Sequence, residues 1–171
     1  MEYFAYGTTQ QGFTHHRRLA ALLGGPVARV RTVEPHAIVV PHVAACSNPG
    51  CEYLHRMAAL VPGFAPLRAE GDLFRVDDLT RIDELETGAY TRAPVAVESL
   101  ADGTTFSAEA YLIREPDRWR ALVAAGHADA LATYPIELAA DEQLKPCCLR
   151  TPGHPPPHDT TDPLAFGSPH S

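Results

Sequence analysis

Residues 2–9 read EYFAYGTT, an alternating run that stops at a glycine and is followed by two threonines. In a strand successive side chains point to opposite faces, so Tyr3 and Ala5 share one face while Phe4 and Tyr6 share the other. Gly7 then either turns the chain only or also opens its backbone to a ligand.

The segments that follow supply the context of that strand. Thr14 is a candidate cap for a helix in which Leu19, Leu22 and Leu23 fall on one side. Gly24-Gly25 and Pro26 end it. VARVRTV at 27–33 alternates and reads as a half-buried strand, and AIVV at 37–40 as a short, fully buried one. Within 41–66, CSNPGC reads as a turn and EYLHRMAAL as one short helix. EGDLFRV at 70–76 is a strand, and Asp77 or Asp78 caps a helix, DLTRIDELE, with Leu79, Ile82 and Leu85 on one face. Residues 90–98 and 104–113 form two strands joined around Asp102-Gly103, a hairpin signal. Pro116 suits the first turn of a helix carrying Trp119, Leu122 and Val123. A second helical stretch is expected from about 129 to 144, interrupted at Pro135. The sum is an α+β domain over 1–150, its strands curled into a small mixed barrel with flanking helices. Six of the 16 prolines fall in 151–171, with three histidines, so that segment reads as a disordered tail.

With 171 residues the chain can bury a real core. A formal net charge of −7 argues against nucleic acid and anionic membrane surfaces as partners. No apolar run approaches the roughly 20 residues that span a bilayer, and no secretory signal is visible. The expected compartment is the cytoplasm, where the four cysteines would be mostly reduced.

Three pieces carry chemistry: the glycine of FAYGTT, the strand AEGDLFRV at 69–76, and IDELETGAYTR at 82–92, where a carboxylate-rich helix ends in Thr87-Gly88. FAYGTTQQGFTHH resembles the opening strand and loop of the γ-glutamylcyclotransferase superfamily, the AIG2-like proteins, which show a YGS or YGT stretch after the first strand. GPVARVRTVEPHAIVV is similar to the segment that follows in the γ-glutamylamine branch. The stretch from VPGF to PVAV resembles the family's glycine-led strand, helix, LDxxEG-type end and nearby tyrosine. The likeness covers roughly 2–113 in consistent order. It implies a small barrel with flanking helices and an enzyme that frees an amine or amino acid from a γ-glutamyl group as 5-oxoproline, without a cofactor. It also implies that Glu86 is the catalytic residue and that Tyr6, Gly7, Thr8, Thr9 and Tyr90 bind substrate. Thr87 stands where the family has a glycine.

The chemistry has its own logic. In a γ-glutamyl amide the α-amine can reach the γ-carbonyl and close a five-membered ring, so the nucleophile is intramolecular. A base must remove the amine's proton and the leaving amine needs one back, and one carboxylate near both nitrogens can do both. A glutamate at a helix C-terminus has its charge disfavoured by the macrodipole, and burial raises its pKa further. At the end of a strand, the backbone N–H groups of 7–9 can form a nest for a carboxylate or a developing oxyanion.

Blander roles compete with each of these. Gly7 alone is a turn, Glu86 a solvated helix end, Tyr6 a core residue, Tyr90 half-buried packing with its hydroxyl at the rim. Asp83 caps or pairs locally, Glu84 is solvated, and Arg92 either holds a substrate carboxylate or lies on a strand surface. His15 and His16 are adjacent and diverge by about 100° on a helix, a poor metal pair. Cys46, Cys51, His55, Cys147 and Cys148 are better zinc candidates, against reduced, packed thiols. The leading expectation is an enzyme acting on a γ-glutamyl amine or γ-glutamylated metabolite, a setting that suits removal of a protecting group in biosynthesis. A non-catalytic binding module of the same fold and a zinc-stabilised interaction domain are the alternatives. Oligomeric state is open.

Overall fold

Both faces of the first strand are covered. In a computed structural model, which describes residues 1–41, 58–86 and 90–135, β1 (Glu2–Ala5) runs through the core with Phe4 and Ala5 fully buried. It pairs antiparallel with β5 (Glu70–Arg75), and β5 pairs with β2 (Ala28–Thr32). β2 pairs with β6 (Tyr90–Ser99), and β6 with β7 (Thr105–Ile113). A parallel contact of Tyr3 with Glu109 closes β7 back onto β1. The five strands form a closed mixed barrel, the expected α+β architecture. Closure removes the free edges that an open sheet exposes.

Three further strands extend the sheet from β7: β4 (Ala59–Pro62), β3 (His36–Pro41) and β8 (Ala128–Leu131). β3 is buried along its whole length because it lies between β4 and β8, which accounts for its unbroken apolar run. Phe4, Val30, Leu73, Val97 and Ala110 form one buried cluster with Ile38 and Leu60 of the extension. On the other face, Tyr3, Ala5, Phe74 and Tyr111 pack with Leu23 of α1 (Thr14–Leu23) and with Leu79 and Ile82 at α2 (Thr80–Leu85). Trp119 and Leu122 of α3 (Pro116–Ala124) cover β3, β4 and Ile113. Burying one such large apolar side chain contributes roughly 1.5–3 kcal/mol.

The hairpin forms as expected. Gly103 takes a positive φ of 74°, and the Thr104 amide donates to the Asp102 carboxylate at 3.0 Å. Pro116 opens α3 at its first turn.

Several expectations need correction. Residues 128–131 form a strand, not the start of a helix, because pairing with β3 outweighs the helix propensity of HADAL. Gly126, at φ 73°, turns the chain out of α3 towards it. Ala59 and Leu60, read as the end of a short helix, belong to β4 for the same reason. The N-cap of α1 is Phe13 rather than Thr14. Leu85 is exposed, although Leu79 and Ile82 beside it are fully buried. The CSNPGC turn, residues 52–57 of the short helix, Thr87 and Gly88, residues 136–144 and the tail at 151–171 lie outside the described residues. No helix among the described residues is long and apolar enough to cross a membrane.

Candidate active site

The loop after β1 is a set of linked turns. The Gln10 amide donates to the Gly7 carbonyl at 3.1 Å, and the Phe13 amide to the Gln10 carbonyl at 3.1 Å. The Thr8 carbonyl accepts from the amides of His15 and His16, at 3.0 and 3.2 Å. Those amides belong to the first turn of α1, where backbone donors lack partners within the helix. Thr8 therefore supplies what the Phe13 cap does not, and the loop is folded against the start of α1. The Thr8 hydroxyl also bonds His15 Nδ1 at 2.7 Å. Burial, with Arg18 nearby, lowers the His15 pKa, so the ring is neutral at neutral pH. Thr9 is buried, its hydroxyl 2.9 Å from that of Tyr3.

A partly buried polar network fixes the same loop from the sheet side. The Gln10 side-chain amide donates to the Tyr6 carbonyl at 2.8 Å, and Arg29 donates to Gln10 at 2.6 Å and to Asp72 at 3.2 Å. Asp72 also accepts from the Gln11 amide at 2.7 Å. No described residue accepts a hydrogen bond from the backbone amides of Gly7, Thr8 or Thr9.

Gly7 does not occupy the left-handed region. What it supplies is room, since a Cβ there would lie 3.2 Å from the Ala58 Cβ. The bare side of Gly7 thus faces the protein, a different reason for the glycine from the open approach expected of it. At Gly71, in β5, a Cβ would lie 2.1 Å from the Ala5 carbonyl oxygen and 2.7 Å from the Phe4 ring. The end of β1 can settle against β5 only where no side chain stands.

Glu86 terminates α2, its amide donating to the Ile82 carbonyl at 3.0 Å. It is half-buried, and burial pushes its carboxyl up to about 7. Its charge in turn raises the pKa of the Tyr3 and Tyr6 hydroxyls, after burial itself. The carboxyl therefore sits within electrostatic range of two tyrosines on β1 and at its end.

The other carboxylates of the helix are engaged elsewhere. Asp83 accepts from Arg92 at 2.9 Å and from the Tyr111 hydroxyl at 2.7 Å. Glu84 is exposed, 3.9 Å from Arg81. Arg92 also approaches Glu109 at 3.8 Å, so it is a paired strand-surface arginine. Tyr6 is buried, its hydroxyl donating to the Tyr111 carbonyl and held by the Leu60 backbone. Tyr90 is half-buried and donates to the Ala58 carbonyl at 3.0 Å.

The structure thus gathers Tyr6 and Glu86 around one end of β1, with the 7–9 loop tied to it through Tyr3 and Gln10. Tyr90 reaches the loop through Ala58, whose carbonyl it bonds and whose Cβ faces Gly7. Sequence reasoning missed Tyr3, Tyr111, His15 and the Gln10–Arg29–Asp72 network. Counting outward from Asp102-Gly103 would pair Arg92 with Ile113, whereas the hairpin's register is shifted by two and sets Tyr111 opposite Arg92.

His15 and His16 point apart, as the helical spacing requires. His15 bonds Thr8, and His16 Nε2 lies 3.2 Å from the Gly24 carbonyl. No three His, Cys, Asp or Glu side chains among the described residues come together in a metal-binding group. Cys46, Cys51, His55, Cys147 and Cys148 lie outside the described residues.

The family profile of the γ-glutamyl cyclotransferase, AIG2-like proteins matches residues 3–129. The chain belongs to this family. The coarse class is therefore that of a cyclotransferase. Among solved structures, the chain is similar to an AIG2-like protein from Mus musculus, with 21% identity, a TM-score of 0.59, and coverage of 80% of this chain and 88% of the mouse chain. A protein from Arabidopsis thaliana, known from a solution structure, aligns with 15% identity over 73% of this chain and 83% of its own, at a TM-score of 0.47. At 21% identity the likeness to the mouse protein concerns the fold. No curated protein matches the sequence.

Proposed function

We propose that this cyclotransferase-family chain cleaves a small-molecule γ-glutamyl amine or γ-glutamylated metabolite to 5-oxoproline and a free amine, with Glu86 as the only proton carrier. The observation that carries the reading is the half-buried Glu86 carboxyl, with a pKa raised to about 7, beside the end of β1. At neutral pH it is divided between its two forms, which suits a group that must take a proton and return it.

The α-amine nitrogen attacks the γ-carbonyl carbon as Glu86 accepts the amine's proton. The tetrahedral centre then collapses, the bond to the leaving nitrogen breaks, and Glu86 returns the proton to that nitrogen. Nothing is oxidised and no bond to the protein forms, so no cofactor enters the scheme. The amides of Gly7, Thr8 and Thr9 are the donors for the glutamyl head or the developing oxyanion, with the Thr8 and Thr9 hydroxyls beside them. Tyr6 and Tyr90 form the walls. Closing the ring within one bound molecule supplies most of the advantage, because the reacting atoms are already tethered.

The decisive test is 5-oxoproline release from a panel of γ-glutamyl amines, by wild type and by Glu86→Gln. Loss of a proton carrier lowers kcat by roughly 10²–10⁴-fold. Equal rates in the two proteins would move the base elsewhere. No product from wild type on any panel member would favour a binding module on the same fold.

A further inference from the structure

We propose that Tyr111 is a positioning residue that sets Glu86 against the glutamyl cradle, an inference that rests on the function proposed above. Tyr111 lies on β7 and is buried. Three of its parts hold three parts of the site. Its hydroxyl donates to Asp83 at 2.7 Å, one helical turn before Glu86. Its backbone carbonyl accepts the hydroxyl of Tyr6. Its ring meets the Tyr3 ring edge-on, with centroids 6.1 Å apart, and the Tyr3 hydroxyl bonds Thr9. One residue thus joins the helix bearing the proton carrier to both ends of the loop that binds substrate.

The need for such a tie follows from the length of α2. Six residues are too few to hold a helix by themselves, so its last turn takes its place from tertiary contacts. Leu79 and Ile82 anchor its buried side, but Leu85, next to Glu86, is exposed. Among the described residues, the other polar tie to the sheet is the Asp83–Arg92 pair, whose side chains are both about two-fifths exposed to solvent and therefore hold weakly. The Tyr111–Asp83 bond is the better shielded of the two, because its donor belongs to a buried residue. Burial, together with the adjacent Asp83 carboxylate, raises the pKa of the Tyr111 hydroxyl, so it remains a proton donor. Tyr111 has no part in proton transfer here: its hydroxyl faces Asp83, and its effect on catalysis runs through the position of Glu86.

The two attachments of Tyr111 are separable, because substitution by phenylalanine removes the hydroxyl and keeps both ring and carbonyl. Tyr111→Phe should lower kcat roughly tenfold, since a small displacement of a catalytic group costs one to two orders of magnitude. KM should stay within about twofold, because the Tyr6 and Tyr3 contacts survive. Asp83→Ala, which removes the acceptor on the other side of the same bond, should give the same division. The double variant should be no slower than the slower single, because each removes the same interaction. A Tyr111→Phe protein with wild-type kcat, or one in which KM rises while kcat holds, would overturn the proposal. Strictly additive losses in the double variant would overturn it as well. A wild type inactive on the whole panel would instead sink the proposed function, and this inference with it. The two failures are distinguished by the wild-type rate alone.

Discussion

The loop at 7–11 is tied to β2, β5 and α1 through Arg29, Asp72 and Thr8, whereas Glu86 ends a six-residue helix through a single backbone bond to Ile82. In the proposed reaction the loop would contribute peptide groups, and Gly7 and Gly71 matter for the side chains they lack. Glu86 would contribute one carboxyl, held where burial disfavours its charge. A site divided in this way should fail differently at its two halves. Changes at the loop should alter binding or folding, and changes at the helix end should alter chemistry while relieving the fold.

The largest effect should come from Gly71→Ala. The new Cβ would overlap the Ala5 carbonyl, a backbone atom that cannot rotate aside, as well as the Phe4 ring. Separating β1 from β5 to relieve this should cost about 3 kcal/mol or more, near the upper end for an overpacked core. Urea unfolding followed by circular dichroism measures it. A loss below about 1 kcal/mol would show that the end of β1 is not pinned by the bare surface of β5, and the contrast between the halves would lose its structural basis.

How much of this was legible in the sequence differs between the halves in the same way. The barrel strands could be read because period-two alternation and turn residues are local signals, as in EYFA and around Asp102-Gly103. Glu86 could be read as a helix-end carboxylate from DLTRIDELE, whose helix ends at Leu85 with Glu86 as its cap, although Leu85 leaves the buried face. The reasons for Gly7 and Gly71 could not, since they depend on Ala58, Phe4 and Ala5, brought there by strand pairing. The strand at 128–131 was hidden because its alanines favour a helix locally and only β3 supplies the partner. Asp72, Arg29 and Gln10 gave no sequence signal of their network, which joins three separate segments.

A second, smaller effect reads the stored cost at Glu86. Its carboxyl ionises at about 7 in the folded protein and near 4.5 when exposed. Between those values the native state holds a proton that the unfolded chain has lost, so stability falls as pH rises through this window and levels off above it. Glu86→Gln removes the charge and keeps the shape. It should therefore be more stable than wild type at pH 8 by on the order of 2 kcal/mol, allowing for partial contact with solvent. The difference should vanish at pH 4. Thermal unfolding of both proteins across that range measures it. A pH-independent difference would mean that the carboxyl is solvated like any surface glutamate.

The smallest effect, and the one that sharpens the division most, should be that of Gly7→Ala. No left-handed φ has to be sacrificed, and the Cβ would meet the Ala58 Cβ at 3.2 Å, a contact relieved by a shift of a few tenths of an ångström. That crowding costs about 1 kcal/mol, and the reduced freedom of the unfolded chain returns roughly 0.4–1 kcal/mol. Net stability should hardly change. The shift has to be taken up by the loop or by Ala58, whose carbonyl also holds the Tyr90 hydroxyl. If the loop amides bind the glutamyl head in the ground state, moving them weakens binding without touching the proton carrier, so KM should rise several-fold while kcat holds. Steady-state kinetics on the best panel substrate decides this. If kcat falls with KM unchanged, the amides act on the oxyanion of the transition state, and the loop belongs with Glu86 on the chemical side of the site.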